Sequence, residues 1–83
     1  MRFRKEKVPE ATLAKFGNFI LNLRNDRGIS LSFLGEKLNV SKNHLSLIER
    51  GLRPPSDILV RNLARFYSTN ETELFHLLGR IPL

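Results

Sequence analysis

The chain has no cysteine among its 83 residues. That excludes disulfide staples, thiolate metal sites and a thiol nucleophile. It also has no apolar run approaching the roughly 18 residues of a membrane span. Its charged start, M-R-F-R-K-E-K-V, has no apolar segment of the signal-peptide kind. A soluble, cytoplasmic protein is the expectation. Acidic residues are few: 8 Asp and Glu stand against 14 Lys and Arg, for a net charge of +6. Such a balance suits a polyanion, nucleic acid first and an anionic membrane surface second. There is no glycine-rich phosphate loop, internal repeat or strand-like alternation. The two histidines, His44 and His76, are far apart, and no cluster of metal-ligand spacing exists. No catalytic residue, metal or cofactor is expected, and the chain does not read as an enzyme.

What remains is ordinary globular composition, 41% hydrophobic and 27% charged, in a length suited to one small domain. An unstapled chain of this size depends on well-packed helices. Pro9 and Glu10 suit a helix start, and Leu13, Phe16, Ile20 and Leu23 recur at three- and four-residue spacing up to Arg27, with Gly28 as a left-handed stop. Ser30 caps a second helix to about Leu38, with Leu31, Leu34 and Leu38 on one face. Gly35 beside them admits close approach of the third helix, and Phe33 lies opposite.

Asn39 makes the turn and Ser41 caps a third helix from Lys42 to about Arg50, ended by Gly51. Leu45 and Ile48 face inward with Glu49 at their edge. Lys42, Asn43, Ser46, Leu47 and Arg50 form an outer face too polar for a core, with Leu47 as its exposed leucine. Arg53-Pro54-Pro55 is a stiff loop. Ser56 then caps a fourth helix burying Ile58, Leu59, Leu63, Ala64, Phe66 and Tyr67. After a turn at Ser68-Thr69, Asn70 and Glu73 open a fifth, with Leu74, Phe75, Leu77 and Leu78 inward and Gly79 at its end. The result is an all-α domain of five helices in which helices 2 and 3 form a helix-turn-helix. The segments are a basic arm at 1–8, the domain at 9–79 and a tail at 80–83. The arm reads as a solvated tail, or else as one that touches phosphates or a minor groove.

At this level the chain resembles the lambda repressor/Cro-type, or Xre, helix-turn-helix family. The residues that carry the likeness are Phe16 to Leu23-Arg24, Gly28-Ile29-Ser30, Leu34, Lys37-Leu38, Val40-Ser41 and, most specifically, the run L-S-L-I-E-R-G-L-R-P-P-S from Leu45 to Ser56. Leu63-Ala64 and Leu74 continue it, so that it covers about residues 10–79. The resemblance implies a compact lambda-repressor-like DNA-binding domain whose third helix enters the major groove of double-stranded DNA. Lys42, Asn43, Ser46 and Leu47 would then meet the bases: Lys42 at guanine, Asn43 at adenine and Leu47 at a thymine methyl group. Ser30, Ser32, Ser41, His44, Arg50 and Arg53 would contact phosphates. Arg24 and Glu49 would form a partly buried ion pair orienting the third helix. One departure stands out. The family usually has Gln, a phosphate contact, where this chain has Leu31, which would leave that contact to backbone N–H groups at the helix start. The family also commonly has Gly at Asn39 and Ala at Gly35.

The function implied is a sequence-specific transcriptional regulator, a repressor, binding a pseudo-palindromic operator as a homodimer, with no membrane role. The chain is expected to be the DNA-binding part of a longer regulator. The alternative is a protein-interaction module, an antirepressor or antitoxin-like subunit gripping a partner through Phe33, Leu21 or Leu47.

Overall fold

Four of the five helices begin on the side chain that the sequence offers as a cap. In the computed structural model, which describes residues 8–80, the hydroxyls of Ser30, Ser41 and Ser56 accept the backbone N–H of Phe33, His44 and Leu59 at 3.0–3.1 Å. The Asn70 carbonyl oxygen accepts that of Glu73 at 3.2 Å. These bonds satisfy N–H groups that the first turn leaves without a carbonyl. The helices are α1 Glu10–Arg27, α2 Leu31–Leu38, α3 Lys42–Glu49, α4 Asp57–Tyr67 and α5 Glu71–Leu77. No strand occurs among the described residues. Residues 1–7 of the expected basic arm at 1–8, and 81–83 of the expected tail at 80–83, lie outside them. No described helix is long and apolar enough to cross a membrane.

All five helices also end alike. Gly28, Asn39, Gly51, Ser68 and Gly79 adopt positive φ. Each donates its N–H to a carbonyl three residues back, and the residue after it donates to one five back. This is the Schellman arrangement, which satisfies two orphan carbonyls and reverses the chain. Ser68 has no glycine's freedom and stores about 1–2 kcal/mol of strain there. α3 stops one residue before the expected Arg50, which takes the cap position just ahead of Gly51.

The core joins Leu13, Phe16 and Ile20 of α1 to Leu34, Leu45 and Ile48 of the helix-turn-helix. Leu59, Val60, Leu63, Ala64 and Tyr67 of α4 join it, with Leu74, Phe75 and Leu78 from the α5 segment. Leu31, Leu38, Leu23, Phe66 and Leu77 pack at its margin, half-buried. Ile58 is not in the core: it is 69% exposed. At 3.6 residues per turn it sits roughly 170° from the centre of the α4 stripe, and Val60 takes the inward place instead. Gly35 admits the turn as well as the third helix: a Cβ there would come 2.6 Å from the Val40 carbonyl oxygen, with Lys42 N and Leu45 Cδ1 of α3 at 3.6 and 3.7 Å.

The tightest crossing lies between α1 and the end of α3, and it rests on a glycine that hydrophobic periodicity does not single out. A Cβ on Gly17 would collide with the carbonyl oxygens of Ile48 and Glu49. One on Gly51, already at φ +75°, would come 2.8 Å from the Ala14 Cα. Neither neighbour is a flexible side-chain end. Gly17→Ala is therefore expected to destabilise the fold by about 1–3 kcal/mol, the range for overpacking. Chemical denaturation of parent and variant checks it; equal midpoints would show that the helices do not approach this closely.

Candidate nucleic-acid interface

The helix-turn-helix presents one face of α3 to solvent and turns the other inward. Leu45, Ile48 and Glu49 are buried, whereas Lys42, Asn43, Ser46, Leu47 and Arg50 recur at the spacing of the opposite face. Lys42 and Asn43 are exposed at the N-terminal end and Arg50 at the other. Ser46 and Leu47 are half-buried, so Leu47 is less open than its polar neighbours suggest. After α3 the chain doubles back, with the Leu52 N–H bonded to the Leu47 carbonyl at 2.8 Å. His44 is also half-buried.

The turn brings part of α2 to the same side. Ser32, Ser41 and Lys42 line one open concavity with Gly35, Glu36, Asn39 and Val40. Ser30 and Ser32 are exposed at the start of α2, and Arg53 is exposed in the proline loop. Neither Arg50 nor Arg53 has a carboxylate partner among the described residues. The capping serines use an oxygen lone pair, so each hydroxyl keeps its proton to donate. Leu31 packs against the core margin. The leucine thus gives α2 an apolar anchor at a position that carries no hydrogen-bonding group outward.

Behind this face stands a single arginine. Arg24 of α1 donates from Nε to Glu49 Oε2 at 2.8 Å and from Nη2 to Oε1 at 3.0 Å. Its Nη1 donates to the Ile29 carbonyl at 2.9 Å. The two-point pair fixes the rotation of α3 about its axis, and the third bond holds the approach to α2. Glu49 is only 7% exposed. The hydrogen bond to Glu49 holds the Arg24 guanidinium above its already high pKa despite burial, so its charge is permanent.

Tyr67 of α4 lies in the field of this pair. Its hydroxyl is buried without a hydrogen-bond partner among the described groups. Burial, seconded by the Glu49 carboxylate, pushes it up to about 12, against the pull of Arg24 and Arg27. Arg27 packs over the Tyr67 ring at 5.4 Å and donates to its carbonyl at 3.1 Å, latching the end of α1 to the end of α4.

Two expectations follow for stability. Glu49→Ala strands the Arg24 charge inside and is expected to lose about 3–5 kcal/mol, measured by denaturant unfolding. A loss below about 1 kcal/mol would show that the pair behaves as a surface one. Tyr67 gives the second. An unfolded tyrosine releases its proton near pH 10, whereas the folded one holds it to about pH 12. The unfolded state then binds fewer protons, so stability falls as pH rises through that window and is unaffected below it. Tyr67→Phe should remove this contribution, seen as a flatter alkaline limb in thermal melts. It should leave neutral-pH stability unchanged or higher, since the lost hydroxyl has no partner.

Comparison with known proteins agrees with this geometry. A helix-turn-helix family model matches residues 20–74. Among solved structures, the chain is similar to the restriction-modification controller protein C.AhdI from Aeromonas hydrophila, with 30% identity and a TM-score of 0.71 over 80% of this chain and 96% of that one. It is also similar to a transcriptional regulator from Vibrio cholerae, with 28% identity and a TM-score of 0.69 over 81% of this chain and 38% of the other. No curated protein matches.

Proposed function

The chain belongs to the helix-turn-helix family of DNA-binding regulators, and from that membership we propose a sequence-specific transcriptional repressor that reads the major groove with α3. The observation that carries this is the outer face of α3. Lys42, Asn43, Ser46, Leu47 and Arg50 project from a helix whose inner face is locked to α1 through Glu49. A helix presented this way offers donors to base edges without first reorganising. Exposed Lys42 suits guanine O6 and N7, and Asn43 suits adenine N6 and N7. Ser46 serves a neighbouring base edge or phosphate, and half-buried Leu47 offers its remaining apolar surface to a thymine methyl.

Phosphate contacts set the register. Arg50 and Arg53 supply charge, and the hydroxyl protons of Ser30, Ser32 and Ser41 supply directed bonds, with His44 at the edge. With Leu31 turned to the core, the phosphate bond that relatives make from that position falls to the backbone and serines at the start of α2. The protein acts in the cytoplasm on a pseudo-palindromic operator, as a homodimer whose half-sites lie about one helical turn apart. The controller protein among its structural neighbours supports a regulatory role of this kind.

Selection of bound duplexes from a random pool, followed by titration against salt, tests the reading. The selected duplex should bind well above random sequence, with affinity falling steeply as salt rises. Lys42→Ala and Asn43→Ala should each lose about 1–3 kcal/mol of discrimination at particular base pairs. Equal, weak binding of selected and random duplexes, unmoved by both substitutions, would favour a protein partner for this surface instead.

A further inference from the structure

The loop that carries Arg53 is anchored at both ends, and the second anchor comes from the far end of the chain. On the α3 side, the Leu52 N–H is bonded to the Leu47 carbonyl at 2.8 Å. On the α4 side, Arg80 Nη1 donates to the Pro55 carbonyl at 2.8 Å and to Asp57 Oδ1 at 2.9 Å. Arg53 and Pro54 lie between these anchors, and Pro54 and Pro55 have ring-fixed φ. Pro55 is fully buried.

Arg80 is itself aimed. Gly79 takes φ +70° and its N–H donates to the His76 carbonyl at 2.9 Å, while the Arg80 N–H donates to the Phe75 carbonyl at 2.8 Å. The chain reverses at the end of α5, and the Arg80 side chain runs back to the start of α4. A cation is disfavoured at a helix N-terminus. Asp57, the first residue of α4, offsets that by pairing with it. A surface ion pair alone would be worth little. The second bond, to a main-chain carbonyl of the loop, is what gives this contact a direction.

The geometry points to Arg80 as a positioning residue for DNA binding: it holds the Arg53-Pro54-Pro55 loop so that Arg53 meets its phosphate without first being ordered. This rests on the proposed phosphate contact of Arg53 and deepens it. Without Arg80 the Pro55 end of the loop keeps its buried ring but loses its directed bond, and Arg53 must lose more freedom on binding.

The test is a double-substitution cycle on a random-sequence duplex, because phosphate contacts are independent of sequence. Parent, Arg53→Ala, Arg80→Ala and the double variant are titrated across salt at a temperature where circular dichroism shows all four folded. Arg80→Gln, which keeps a neutral amide donor group but loses the charge and the forked reach, carries the same cycle if the alanine protein unfolds. Arg53→Ala should weaken binding and lower the salt slope by about 1. Arg80→Ala should weaken binding roughly three- to tenfold, the range for freeing one ordered side chain. The double variant should bind no more weakly than Arg53→Ala alone. If the two losses multiply, Arg80 acts by its own charge and the positioning role is overturned. It is equally overturned if Arg80→Ala binds like the parent while melting lower. If Arg53→Ala binds like the parent, the phosphate contact fails and this proposal fails with it, while the base-reading role of α3 stands.

Discussion

One partly buried arginine sets the geometry on which the other parts depend. Arg24 reaches from α1 to the carboxylate of Glu49 by two bonds and to the Ile29 carbonyl by a third. Planar, forked donors are what a single side chain needs to fix two elements at once, and lysine could not do the same. The main driving force for assembly is the burial of leucine, isoleucine and phenylalanine in the core. Burial of that kind is non-directional and leaves α3 free to rotate or slide by small amounts. The ion pair removes that freedom. Gly17 complements it from the packing side, since α1 can lie against the last carbonyls of α3 only where no side chain intervenes.

Much of the fold can be read from the chain because its punctuation is local. The four caps at Ser30, Ser41, Ser56 and Asn70 each involve a side chain and a backbone N–H three residues on, so sequence spacing is enough to find them. The same holds for the glycines at Gly28, Gly51 and Gly79, whose left-handed stops need no distant partner. Gly17 and Arg80 were not legible. Each matters through an atom more than 20 positions away: the Glu49 carbonyl in one case and the Pro55 carbonyl in the other. Ile58 adjoins Leu59 in sequence, yet helical periodicity puts it on the opposite face of α4, so adjacency to an apolar residue is a poor guide to burial.

The interface divides along the same line. That Lys42, Asn43, Ser46, Leu47 and Arg50 share an outer face follows from helical periodicity. Half-burial of Leu47 does not, because it depends on tertiary surroundings that the spacing along one helix does not fix. The pairing of Arg24 with Glu49 joins positions 25 apart, and in the sequence only the family resemblance implies it. Leu31 shows the reverse case. A single apolar residue at the start of α2 is enough to indicate that this end of the element is held by packing.

The length of α3 carries a consequence of its own. Eight residues make barely two turns, and isolated helices below about 12–15 residues are marginal in water. α3 therefore has no standing as a helix apart from the tertiary contacts around it. Sequence-specific recognition through this helix would then require the native state. By mass action an occupied site draws the folding equilibrium toward the folded form, so the protein's resistance to heat and proteolysis becomes a measure of how much of its target is within reach.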